Sequence, residues 1–201
     1  MGPSRPESQW IDRTPPRVYF TELVSEAAAE TDPTPSELAQ AYLVDLLAGR
    51  VRAPAAPDAE APLAEAWLRA QQAEGRQRIR HLRGLGDRAL FVSGFFGESL
   101  VRGVVGPGYY RDMGRRAYGS LAAVLGAVTG EDSWPALYEE LADRFPQLAG
   151  VLADVSDRTY GDRDDALLAA YETWVTTGSR RARRRLLRAG IALSYPGRRV
   201  Q

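Results

Sequence analysis

"FVSGFFGESLVRGVVGPGYY" spans Phe91 to Tyr110 and crowds aromatic rings and glycines into one segment. Rings seek burial, while a glycine inside a helix costs about 1 kcal/mol relative to alanine. The two belong together where backbones must come close, or where a ligand needs room. Gly94 and Gly97 lie three apart, with Val101 four further on, which cuts a shallow groove along one side of a helix. The next segment, "YYRDMGRRAYGSLAAVLGAVTG", has its own small positions at Gly114, Gly119 and Gly126, with Ala117 and Ala122 between them. The spacing predicts two antiparallel helices, joined by a tight "GVVGPG" turn (103–108), that meet along these notches. Phe91, Phe95 and Phe96 then fill the core on either side. Apolar residues surround most of the first helix, which places the pair at the centre of the molecule.

The rival reading is a pocket lined by Phe91, Phe95, Phe96, Tyr109 and Tyr110 that holds a flat or apolar ligand. Closed packing is the expectation here, because helix pairs of this composition mostly build cores.

Working outward, the apolar spacing is helical throughout. Val18, Phe20, Leu23, Val24 and Ala27 mark one side of a helix that Thr14 can cap. Thr34 and Glu37 have capping-box spacing around Pro35. Leu38, Ala41, Tyr42, Leu46 and Ala48 form that helix's inner side, and Gly49 is its stop. A long helix is expected from Leu63, ended by "GLGD" (84–87), with Asp87 capping the next. Ser133, Pro146, Asp162 and Ser179 open four more helices, and Gly178 and Gly190 close the last two. No segment alternates apolar and polar residues with β-branched richness. The prediction is an all-α, single-domain bundle of about nine helices with a central antiparallel pair. Residues 1–16 read as a disordered arm, 17–195 as one helical domain containing a Pro/Ala-rich linker (51–62), and 196–201 as a tail.

Composition narrows the chemistry. The 201 residues include no cysteine, which excludes disulfides, thiolate metal sites and a cysteine nucleophile. All 26 basic residues are arginine, so a P-loop lysine and a Schiff-base lysine are excluded as well. An arginine-only basic set is what a GC-rich bacterial genome writes. His81 is the sole histidine and reads as a surface or helix-end residue. Glu139, Glu140 and Asp143, and separately Asp157, Asp162, Asp164 and Asp165, are close enough to suggest magnesium. Their spacing matches no metal motif, and solvated helix ends are expected instead. No cofactor is expected.

The formal net charge of zero hides an asymmetry. From Trp174 onward the chain carries eight arginines and no acid, and the residues before it carry all 26 acids. Arg180, Arg181, Arg184, Arg185 and Arg188 crowd into one short helix. Such a helix can meet nucleic acid, an acidic membrane, or an acidic protein surface, including the chain's own. The chain as a whole has no basic excess, and its arginine helix has no stacking aromatics, so protein contact or self-association ranks above nucleic acid. No motif names a reaction. The expectation is a cytoplasmic, non-enzymatic, bacterial interaction or regulatory protein that uses those arginines as its contact surface. The alternatives are nucleic-acid binding through the same helix, or a small-molecule sensor or enzyme at the aromatic pair. No signal peptide or membrane span is expected.

Overall fold

The computed structural model describes residues 15–52, 62–97, 106–128, 133–160 and 164–191. Among these it is all-helical, with nine helices and no strand. They are α1 (Pro16–Ala29), α2 (Glu37–Arg52), α3 (Leu63–Gln72), α4 (Gly75–Phe95), α5 (Pro107–Val128), α6 (Ser133–Asp143), α7 (Phe145–Tyr160), α8 (Asp164–Thr177) and α9 (Arg180–Arg188). The expected N-terminal arm up to Thr14, most of the 51–62 linker, Val101, the first half of the 103–108 turn, Asp162 and the 196–201 tail lie outside the described residues.

The central pair is α4 and α5, which pack along their lengths. Their register is antiparallel: Gly86 sits under the ring of Tyr118, and Gly114 abuts Ala89. A Cβ on Gly86 would lie 2.5 Å from that ring, and one on Gly114 would lie 2.2 Å from the ring of Phe145. The close approach is therefore made by Gly86 and Gly114. Gly94 turns elsewhere, against Leu152 and the Ala149 carbonyl of α7. Gly97 and Gly126 face open space, so they are not notches for a neighbour. α6 covers α5, and α7 wedges against α4 and α1. The main core includes Leu43, Leu47, Leu82, Leu90, Tyr118, Leu121, Leu141, Phe145, Leu148 and Leu152, all buried.

Helix boundaries differ from the expectation in two regions, the α3–α4 break and α2. The long helix does not stop at "GLGD". It breaks earlier, at Ala73–Glu74, where Gly75 adopts φ +51° and supplies the left-handed turn. α4 then runs through Gly84, Gly86 and Asp87, because packing on Tyr118 outweighs glycine's helix cost. The second difference is at α2, whose cap is Ser36 rather than Thr34. The Ser36 hydroxyl accepts the Ala39 N–H at 3.1 Å and donates to Glu140 at 2.5 Å. Glu140 also accepts the Ser36 N–H at 3.0 Å, while Arg144 donates to the Thr34 carbonyl at 3.1 Å and to that of Pro33. This clasp from α6 sets the rotation of α2. Ala39, Tyr42, Leu43 and Leu47 point inward, Leu38 is exposed, and the helix continues past Gly49 to Arg52.

No helix among the described residues is long and apolar enough to cross a membrane.

Candidate contact surface

The arginine helix α9 is defined at both ends by its sequence. Gly178 ends α8 at φ +67°, and Gly190 closes α9 at φ +76°. Ser179 caps α9, its hydroxyl accepting the Ala182 N–H at 3.3 Å. Steps of about 100° per residue then sort its side chains into three directions.

Arg181, Arg185 and Arg188 face the body. Arg181 grips Asp157 of α7 through two bonds of 2.9 and 3.0 Å, and reaches the Ala153 carbonyl at 3.3 Å. Arg185 approaches the same carboxylate at 3.2 Å. Arg188 donates to Glu30, at the end of α1, at 3.0 Å and to Asp154 at 3.4 Å. Arg184 lies on the rim, 3.7 Å from Glu30. Arg158 of α7 holds Glu30 at 2.8 Å and also Glu26, which ties α1 to α7. The side chain of Arg180 lies outside the described residues.

Ala182 and Leu186 take the second direction. With Ala170 and Trp174 of α8 they form a small buried cluster, joined by Ile191, separate from the main core. The third direction is outward, where Arg183 and Leu187 are exposed. α8 repeats this arrangement. Leu168, Tyr171 and Val175 recur at i, i+3 and i+7, and with Leu187 they are between 44% and 61% exposed. The outer side of the α8–α9 hairpin is thus an apolar stripe accompanied by arginine.

The aromatic set lies at the edge of the main core, partly buried. Phe91 stacks on Phe95 at 4.7 Å and meets Phe96 edge-on at 5.9 Å. Arg50 lies 4.9 Å over the Phe91 ring. Tyr109 and Tyr110 form an edge pair at 5.8 Å, and both pack against the core with Phe91 and Phe95. Phe96 is half exposed. A cavity of about 250 Å³ lies elsewhere, between α1 and α2, lined by Arg17, Thr21, Val24, Glu37, Gln40 and Val44 among others.

The acidic clusters also resolve. Asp157 is not a solvated helix end: two arginines pair with it. Glu140 serves the α2 clasp. The side chains of Asp162, Asp164 and Asp165 lie outside the described residues. Among the described residues no cluster of histidine and carboxylates could hold a metal.

Sequence reasoning missed a buried polar centre. Asp87, on α4, accepts hydrogen bonds from Tyr42 and, at 2.9 Å, from Tyr118. Arg83 lies 3.7 Å away, with its guanidinium 5.3 Å over the Tyr42 ring. Burial pushes the Asp87 carboxyl up from the ordinary carboxylate range, against the pull of both phenols and Arg83. Burial and the nearby carboxylate push Tyr42 and Tyr118 up too, so both phenols stay protonated donors. Sequence reasoning also missed the acids that receive α9, and the α8 stripe. A usable signal existed: Asp154 and Asp157 share one helix face three apart, opposite Arg181 and Arg185 four apart.

No protein-family model, curated protein or solved structure matches the chain.

Proposed function

We propose that the chain is a non-enzymatic, cytoplasmic bacterial protein of regulatory type, and that its contact surface is the outer side of the α8–α9 hairpin. The observation that carries this reading is the exposed Leu168–Tyr171–Val175 stripe, on a helix whose main packing neighbour is α9 alone. Tyrosine and arginine around an apolar centre are the residue types that dominate binding hot spots. The arginines divide the work. Arg181, Arg185 and Arg188 hold the helix in place with Arg184 on the rim beside Glu30, while Arg183 remains outward to select an acidic partner surface. This arrangement favours protein over nucleic acid. Most of the described arginines of α9 already have carboxylate partners in the body, which leaves fewer of them for phosphates.

A photo-crosslinking residue placed at Tyr171 in the cells of origin is expected to yield a discrete adduct. The same residue at Leu68, which is more exposed but on α3, is expected to yield none. Arg183→Glu should reduce the Tyr171 adduct. Equal labelling from both positions, or none from Tyr171, would overturn the reading. So would tight duplex DNA binding with a steep salt slope.

A further inference from the structure

We infer that the α8–α9 hairpin is a detachable arm, latched to the body by guanidinium–carboxylate pairs and released as ionic strength rises while the main core stays folded. The apolar side chains of the hairpin form their own cluster, Ala170, Trp174, Ala182 and Leu186, and the main core draws on α1 to α7. Among the described residues, α8 and α9 pack extensively only on each other. Among the described residues, what crosses to the body is mainly ionic: Arg181 and Arg185 to Asp157, Arg188 to Asp154 and Glu30, and Arg184 to Glu30, with one further bond from Arg181 to the Ala153 carbonyl.

Salt acts oppositely on these two kinds of contact. The Debye length falls from about 10 Å at 0.1 M to about 3 Å at 1 M, which weakens exposed ion pairs most and partly buried ones less. Apolar burial is not weakened by screening. The pairs also differ among themselves. Those to Glu30 are on the rim, with Arg184 and Arg188 half to one-third exposed, while Asp157 and Arg185 are nearly closed off. Release therefore begins at Glu30 and ends at Asp157. Opening returns Asp154, Asp157 and Arg185 to water, and this hydration offsets much of the lost attraction. A latch of that kind is close to balance and reversible. The opposite holds for a core helix such as α4, whose exposure gains nothing. The inference holds whether or not the outer side meets a partner.

Hydrogen exchange read by mass spectrometry on the full chain tests it, at about 0.05 M and about 0.5 M sodium chloride, a range over which screening changes severalfold. Amides of α8 and α9 should exchange roughly tenfold or more faster at the higher salt, with α4 and α5 unchanged, as expected of a separate opening unit. Asp157→Asn at low salt should reproduce the high-salt pattern and leave α4 and α5 protected. Salt-insensitive protection of the hairpin overturns the inference. So does a variant that loses protection equally everywhere, since the hairpin would then belong to one cooperative unit with the core.

Discussion

Asp87 is the residue on which the polar interior turns. Two phenols donate to it and Arg83 stands beside it. Because burial raises its carboxyl above the ordinary value, the folded state holds a proton that the unfolded state releases. Stability from this group is therefore full at low pH, and it is lost as pH rises from about 3.9 through the raised folded value. Asp87→Asn keeps an oxygen for both phenols and removes the titration. Its stability relative to the parent should improve as pH rises across that window, measured by urea unfolding at each pH. Asp87→Ala strands two buried hydroxyls, and about 2–4 kcal/mol of destabilisation is expected at low pH, shrinking as pH rises across the same window. A parent and an Asn variant with parallel pH profiles would show that the carboxyl does not titrate in this way. Sequence alone could not find this centre. Next to two glycines, an aspartate reads as a helix cap, and only the tertiary neighbours Tyr42 and Tyr118 make it an acceptor.

Helices show the same lesson through glycine. Gly84 and Gly86 are two residues apart in α4, yet one faces open space and the other the Tyr118 ring. Gly84→Ala should stabilise the protein by about 0.5–1 kcal/mol, the helix-propensity gain alone. Gly86→Ala and Gly94→Ala should each destabilise it by about 1–3 kcal/mol, since a methyl group would overlap Tyr118 or Leu152. Thermal unfolding of the three variants distinguishes them, and a shared direction of change would contradict the packing described. The existence of the helices, the α8 stop at Gly178 and the Ser179 cap were all legible, because local periodicity and capping chemistry determine them. What was not legible was which glycine meets which neighbour. Gly94 was expected on α5 and lies on α7, a choice made by how α7 wedges in, which no local pattern encodes. The rotation of α2 escaped for the same reason: the clasp of Glu140 and Arg144 joins residues more than a hundred positions apart.

At the scale of the molecule, the charge split read from the sequence has a physical destination. The acidic body and the basic tail meet inside one chain, at Glu30, Asp154 and Asp157. Folding back was one of the outcomes the asymmetry allowed, and spacing alone could not choose it over an external polyanion. The contact surface was only partly legible. The arginine helix stood out by charge, but its arginines do not all point the same way, and the apolar stripe belongs to the helix before it. A charge swap examines this division of labour: Arg183→Glu should leave the amide protection of α8 and α9 as in the parent, whereas Arg185→Glu, which sets two acids face to face, should lower it about as Asp157→Asn does. Equal protection in the two variants would mean that the inward pairs contribute nothing.

The two left-handed glycines that bracket α9 carry a further consequence. They give the arginine helix a fixed length of nine residues, so it can neither grow nor slide by a residue to find new acids. One extra residue inserted after Ala182 would swing everything beyond it by about 100°. Arg181 would keep its carboxylate, while Leu186 left the Trp174 seam and Arg185 turned off Asp157. Insertions, far more than exchanges of one side chain for another, are thus the changes this segment is least able to absorb.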